Sequence, residues 1–280
     1  MGLDLLGVAG VVGVFLLIWR TSAFTAFLYP AGFILLSVAT VAMVAAVVNP
    51  SSRLGSVLGC RPSSPRPSAA RVAPATQTSC RSVVYIGDST SEGQVSTEYI
   101  PNPRLRLQAE LAKVGVRMTY PEISGARSIV ETFEGHPNAA TVAQQHISEG
   151  FHGCWILALG TNDVDNAQTS PIGLPARIAH MMASIGHQPV LWVDVISLLS
   201  SGPYSEHQMQ RWNEALLAAC PHHPAMRVYD WAAHAKRKWF IPDGIHYYSP
   251  GYVARDRLIA HGLAKAFPKG QPASTSCVVR

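Results

Sequence analysis

Residues 83–91 read VVYIGDSTS, a short apolar run that ends in a glycine and then in small hydroxyl side chains. Such a run is typical of a buried β-strand. Ser89 would open the next segment, where the unpaired N–H groups of a helix start favour negative charge. Gly87 lets the chain turn sharply, because it has no side chain. The stretch predicts a strand whose end presents Ser89, although Gly-Asp-Ser alone is also typical of a plain helix cap.

Strand-length apolar runs alternate with amphipathic helical stretches in the rest of the C-terminal part. Runs that are apolar on both faces indicate a parallel sheet covered by helices on both sides. We therefore expect a three-layer α/β/α sandwich around a five-stranded parallel sheet. The expected strands are Val83–Gly87, Met118–Ile123, Cys154–Gly160, Pro189–Ser197 and Met226–Trp231. The expected helices are 102–114, 138–150, 173–186, 205–220 and 250–267.

Polar and glycine residues follow two more of these strands. The third strand ends in Gly160-Thr161-Asn162-Asp163, and its asparagine amide has the character of an oxyanion donor or of an Asx turn. Gly125 follows the second strand and offers a bare backbone N–H. Arg127 stands two residues further on, either to hold an anionic group of a substrate or to pair with Glu131. The carboxyl ends of parallel strands meet at one edge, which makes this edge the expected site.

The last motif is Asp243-Gly244-Ile245-His246, just before a helix start. An acid three residues before a histidine can reach the imidazole Nδ1. Nε2 is then free to take a proton from a serine. Together with Ser89, this motif predicts a Ser-His-Asp arrangement.

These motifs, in this order, resemble the SGNH (GDSL-like) hydrolase family over residues 83–267. The resemblance implies a flavodoxin-like α/β fold and no metal or organic cofactor. It implies Ser89 as the nucleophile of a triad with Asp243 and His246. The implied oxyanion donors are the N–H groups of Ser89 and Gly125 and the side chain of Asn162.

A narrower resemblance is to the SGNH domain fused to acyltransferase family 3 membrane proteins of actinobacteria. It rests on 125–135 (GARSIVETFEG) and 209–213 (MQRWN). Residues 5–62 also resemble a late pair of membrane helices from such proteins. Those proteins have many more membrane helices than this chain has room for, so the membrane acyl-transfer apparatus is mostly missing here.

The first 50 residues are almost uncharged, with only Asp4 and Arg20. A membrane-spanning helix needs about 20 apolar residues, and we expect a transmembrane helical hairpin at 3–20 and 26–48. A signal peptide followed by a buried helix is the alternative. The predicted domains are a membrane segment at 1–50, a Pro/Ser/Arg-rich linker at 51–79 and an SGNH hydrolase domain at 80–280.

The charge distribution argues against a nucleic-acid partner. The net charge is +5, and residues 1–79 hold five arginines and one acid, whereas the remainder is nearly balanced. Charged residues make up only 14% of the chain, against about 25% in soluble proteins. The basic excess follows an apolar segment and indicates a membrane edge.

The chain has five cysteines, and no pair has metal-ligand spacing. Four of them should fall on the sheet edge opposite the site. This geometry favours Cys154–Cys220 and Cys80–Cys277 disulfides, with buried free thiols as the alternative. Disulfides require an oxidising compartment, so we expect the domain on the outer side of the cell membrane, although the arginines after the hairpin favour the inner side.

The combined prediction is a membrane-anchored serine esterase or O-acyltransferase. It would form an acyl-serine intermediate on an acylated cell-envelope glycan or glycolipid. The alternative is a non-enzymatic truncated remnant that docks onto a full-length membrane acyltransferase.

Overall fold

The computed structural model describes residues 77–280, and in it the VVYIG part of the VVYIGDSTS stretch lies in an inner strand of a parallel sheet. The sheet has six strands in the order β2-β1-β3-β4-β5-β6, and every neighbouring pair is parallel. The strands are β1 (Ser82–Gly87), β2 (Met118–Ile123), β3 (Cys154–Ala158), β4 (Val190–Val193), β5 (Met226–Tyr229) and β6 (Val278–Val279).

Helices cover both faces of this sheet. They are α1 (Leu107–Lys113), α2 (Ala139–Ser148), α3 (Asp163–Thr169), α4 (Leu174–Ile185), α5 (Glu206–Ala219) and α6 (Ser249–Ala266). Short 3-10 helices occupy Ser89–Gln94, Pro103–Leu105, Cys220–His222 and Arg237–Trp239. The apolar cluster on one face draws on α1 and α6, and the cluster on the other draws on α2, α4 and α5. The predicted α/β/α layering is confirmed.

The two clusters contain large aromatic side chains. Trp155, Trp192 and Trp212 are fully buried on one face, and Tyr85 and Trp231 are fully buried on the other. Fully burying a large apolar side chain contributes about 1.5–3 kcal/mol. The core therefore holds the strands firmly, and the loops at their carboxyl ends start from fixed positions.

The expected strand number was too low by one. The sixth strand, β6, has only two residues, and it pairs with β5 on the side away from β4. A strand of this length has no periodicity that a sequence pattern can reveal. Its position nevertheless matters, because it brings the C-terminal segment beside β5.

The disulfide pairs differ from the predicted ones. Cys80 is joined to Cys154, with their Cα atoms 5.7 Å apart, and Cys220 is joined to Cys277, with their Cα atoms 6.1 Å apart. Cys80 precedes β1, which is a direct neighbour of β3, where Cys154 lies. Cys220 lies beside β5, two strands from β3, and adjacent strands are about 4.8 Å apart. The predicted Cys154–Cys220 bridge therefore spans too great a distance, and β6 supplies Cys220 with a nearer partner.

The predicted membrane segment at 1–50 and most of the predicted linker lie outside the described residues. Among the helices of residues 77–280, none combines the length and apolar character that a membrane span requires.

The strand order locates the functional edge of the sheet. The chain passes from β1 to β2 on one side, and it enters the other side of the sheet through β3. In such doubly wound sheets the crevice lies at this reversal, outside the carboxyl ends of the strands. Gly87 of β1 is in register with Ile123 of β2 and with Ala158 of β3, so the loops after all three strands begin at one level.

Candidate active site

Ser89, His246 and Asp243 form one chain of hydrogen bonds at this reversal. The Oγ of Ser89 lies 2.8 Å from Nε2 of His246, and Nδ1 of His246 lies 2.7 Å from Oδ2 of Asp243. A carboxylate can only accept hydrogen bonds, so the imidazole proton lies on Nδ1 and Nε2 accepts from the serine hydroxyl. This is the arrangement of a serine activated by a neighbouring base.

The acid of this chain is held by its own turn. Oδ1 of Asp243 accepts the N–H groups of Ile245 at 2.9 Å and of His246 at 3.0 Å. Burial acts to raise the pKa of Asp243, but these N–H groups and the His246 ring outweigh it and leave the pKa below its ordinary value. Asp243 thus stays ionised and fixes the orientation of the imidazole.

The site is open to solvent. The side chains of Asp243 and His246 are 40% and 33% exposed, and Ser89 is half-buried. Water or the hydroxyl group of a second substrate can therefore reach the serine.

The turn that presents Ser89 is fixed by buried polar groups. Oδ1 of Asp88 caps the Ser89–Gln94 helix, because it accepts the N–H and the hydroxyl of Thr90 at 2.9 and 2.7 Å. Arg255, from α6, donates to the carbonyl and hydroxyl oxygens of the same threonine at 2.8 and 2.9 Å. Burial raises the pKa of Asp88. Its two bonds to Thr90 make Asp88 the residue that holds the turn.

A second chain of buried hydrogen bonds lies next to the segment that carries Ser89. The hydroxyl of Tyr85 lies 3.1 Å from the hydroxyl of Ser91 and donates to Gln94 at 2.6 Å, and Gln94 donates to Asp256 at 2.6 Å. Gly87 is required here, because a Cβ at that position would lie 2.6 Å from Oγ of Ser91. Both chains fasten the short helix of Ser89 to β1 and α6.

The three predicted oxyanion donors lie in the segments that follow β1, β2 and β3. The N–H groups of Ser89 and Gly125 donate no hydrogen bond within residues 77–280. The N–H of Ser124 continues the β1–β2 ladder to the carbonyl of Gly87 at 3.2 Å, which ties the residue before Gly125 to the end of β1. Nδ2 of Asn162 donates to the carbonyl of Arg127 at 3.1 Å, which leaves its second N–H free.

Arg127 does not pair with Glu131, which was one of the two roles predicted for it. Its Nη1 donates to the carbonyl of Glu122 at 2.5 Å, and the residue is almost fully buried. Burial lowers the pKa of the Arg127 guanidinium. Glu131 pairs with Arg177 and not with Arg127. Contact of Arg127 with a substrate anion stays a prediction.

Sequence reasoning did not identify three side chains around the site. Arg177 and Arg255 are distant in sequence from every motif, and no local pattern marks them. Glu92 is an exposed carboxylate one turn after Ser89, and its Oε1 lies 3.1 Å from the position of a Cβ at Gly125. Glu92 lies in the short helix that begins at Ser89, and this closeness in sequence was the signal that could have identified it.

Histidine, cysteine and acidic side chains do not gather for metal binding in the described part of the chain: no group of three or more is placed to hold an ion.

Comparison with solved structures shows which proteins share this fold. One carbohydrate acetylesterase from Sinorhizobium meliloti matches with a TM-score of 0.52 and 18% identity, covering 67% of this chain and 100% of its own. A carbohydrate acetylesterase family member from the same organism matches with a TM-score of 0.53 and 15% identity, covering 66% of this chain and 97% of its own.

A lipase/acylhydrolase from Enterococcus faecalis matches with a TM-score of 0.50 and 16% identity, covering 69% of this chain and 100% of its own. No protein-family model matches the chain, and no curated protein matches it. At these identities the likeness to a lipase/acylhydrolase and to carbohydrate acetylesterases shows the fold.

Proposed function

We propose that this protein is a membrane-anchored serine esterase or O-acyltransferase that acts on acylated cell-envelope glycans or glycolipids. The observation that carries the proposal is the hydrogen-bonded chain Ser89–His246–Asp243 at the reversal of the sheet. The fold shared with carbohydrate acetylesterases supports a sugar ester as the substrate.

The first half of the reaction forms an acyl-serine. Nε2 of His246 takes the hydroxyl proton as Oγ of Ser89 bonds to the ester carbonyl carbon, and the carbonyl electron pair moves to the oxygen. That oxyanion accepts from the N–H groups of Ser89 and Gly125 and from Nδ2 of Asn162. Collapse expels the alcohol, which takes the proton from Nε2.

The second half decides between hydrolysis and transfer. Water or a sugar hydroxyl gives its proton to His246 and attacks the acyl carbon, and Ser89 leaves with the proton returned to Oγ. Both outcomes use the same residues. The exposure of His246 and Asp243 supports access for either acceptor.

Two features support a location at the outer surface of the membrane. The apolar segment at 1–50 supplies an anchor, and the disulfides Cys80–Cys154 and Cys220–Cys277 fit an oxidising compartment. The resemblance to SGNH domains of acyltransferase family 3 proteins adds a membrane acyltransferase as a candidate partner.

The test is turnover of p-nitrophenyl acetate by the full chain in detergent. We expect Ser89→Ala to lower kcat by about 10³-fold or more, because the nucleophile is lost. Ser148→Ala is the matched control, since that exposed hydroxyl bonds only its own helix at Gln145. Retention of more than about a tenth of the rate in Ser89→Ala contradicts the proposal. An acetylated oligosaccharide product, formed when a neutral oligosaccharide is added, identifies transfer.

A further inference from the structure

The Arg177 guanidinium is a buried charge that the proposed chemistry does not use. The side chain is fully buried on α4. Nε donates to the carbonyl of Ile172 at 2.9 Å. Nη1 donates to Oε2 of Glu131 at 2.6 Å and to Oδ1 of Asp163 at 3.1 Å, and Nη2 donates to Oε1 of Glu131 at 2.5 Å. One rigid group thus joins two carboxylates.

These two carboxylates belong to the two loops that carry oxyanion donors. Asp163 directly follows Asn162, and Glu131 lies in the segment that begins at Gly125. The loops are joined at two further points. The N–H of Ile129 donates to Oδ1 of Asp163 at 3.1 Å.

The second further link is made by the side chain of Asn162, whose Nδ2 donates to the carbonyl of Arg127 at 3.1 Å. Arg127 is two residues after Gly125, so this bond sets the distance between the two donors. Arg177 adds a further link between the same two loops, because it bonds both Glu131 and Asp163. The three links form one connected network between the loops.

The geometry of this network needs an arginine. A guanidinium presents its donors in a fixed planar fork, whereas the ammonium group of a lysine is a point charge on a flexible stem. Lysine at position 177 keeps the charge, but it lacks the Nε donor to Ile172 and the planar fork that matches both oxygens of Glu131.

We propose that Arg177 is a positioning residue for the oxyanion hole, where it holds the Gly125 and Asn162 loops at the separation that the transition state requires. The inference rests on the proposed function. Displacement of the donors weakens binding of the oxyanion, which exists only in the transition state. Loss of the fork therefore lowers kcat and leaves KM nearly unchanged. A residue that only stabilises the fold would lower the melting temperature instead.

The experiment compares Arg177→Lys with Arg227→Lys in the full chain. Arg227 lies on β5, where it donates to the carbonyls of Ser274 and Pro224, away from the oxyanion loops. We expect Arg177→Lys to lower kcat for p-nitrophenyl acetate by about 10–100-fold, with KM changed less than about twofold. We expect Arg227→Lys to lower the melting temperature and to keep kcat, counted per serine labelled by a fluorophosphonate.

A double-mutant cycle with Asn162→Ala supplies a readout that a purely structural role would not move. If Arg177 acts through the donors, Arg177→Lys costs much less in the Asn162→Ala background. Wild-type kcat in folded Arg177→Lys, or full additivity with Asn162→Ala, overturns the role. If Arg177→Lys fails to fold, Glu131→Gln cuts the same link at a side chain that is 34% exposed, and the same outcomes apply. A wild type without Ser89-dependent turnover instead overturns the proposed function, and this role with it.

Discussion

At the scale of single residues, the site combines exposed reacting groups with buried supports. Asp243 and His246 meet solvent, whereas Asp88, Thr90 and Arg255 beneath the nucleophile are buried. Buried polar groups cost free energy unless they are bonded. Asp88 and Arg255 both bond Thr90, although Oδ2 of Asp88 and Nε of Arg255 have no partner among the described residues. The support therefore keeps Ser89 in place while the substrate side stays accessible.

Asn162→Ala should lower kcat by about 10²–10³-fold and change KM little, because an oxyanion donor acts on charge that develops in the transition state. Steady-state kinetics with p-nitrophenyl acetate measure this. The fluorophosphonate-labelled fraction corrects for misfolded protein. A variant that turns over normally per labelled serine but melts at a lower temperature would make Asn162 a structural residue.

The hydrogen-bonded arrangement of Ser89, His246 and Asp243 was predicted from the sequence, whereas the side chains that support it were not. Asp243 and His246 lie three residues apart on one turn, and Ser89 lies two residues after the end of β1. Both features are visible in the local sequence. Arg177 meets Glu131 across 46 residues. Only the packing of α4 against the oxyanion loops brings these two side chains together, and no local pattern encodes it.

At the scale of elements, the loops after the strands carry several acids with shifted pKa values. Asp194 follows β4, is almost fully buried and accepts the N–H of Ala232 at 2.8 Å. Burial, aided by the charge of Asp230, raises the pKa of Asp194 to about 7. The folded state therefore holds this proton more tightly than the unfolded chain does.

Asp194→Asn should stabilise the fold more at pH 8 than at pH 5. Between about pH 4 and 7 the folded state binds more protons than the unfolded state, so the free energy of unfolding of the wild type falls as pH rises. Asparagine does not ionise and keeps an oxygen for the N–H of Ala232. We expect the difference in stability to grow by roughly 1–4 kcal/mol over this range.

Thermal melting of wild type and Asp194→Asn at several pH values checks this. Asp163, whose pKa burial raises to about 7, affects both proteins alike and drops out of the difference. A difference in melting temperature that stays constant from pH 5 to pH 8 would contradict the assignment.

The long elements were predictable, and the short ones were not. β1 and β3 are continuous buried apolar runs, and α2, α4 and α5 are amphipathic helices of 10 to 14 residues. β6 has two residues, and α3 (Asp163–Thr169) begins inside the predicted Gly160–Asp163 motif. For both, tertiary contacts and not local pattern determine the structure.

At the scale of the whole molecule, strand order explains both the site and the disulfides. The reversal between β1 and β3 gathers loops from three strands around Ser89. The edge that holds the cysteines was predicted correctly, but their pairing depends on which strands are neighbours. Sequence spacing alone does not give that order, so Cys80–Cys154 and Cys220–Cys277 required the structure.

The central claim is that Ser89 is a nucleophile activated by His246. The most direct measurement treats the folded full chain with a fluorophosphonate and locates the adduct by peptide mass spectrometry. We predict one adduct, on Ser89, formed at least about 10³-fold more slowly in His246→Ala. An unlabelled folded wild type, an adduct on another residue, or labelling of Ser89 at the same rate in His246→Ala would contradict the account.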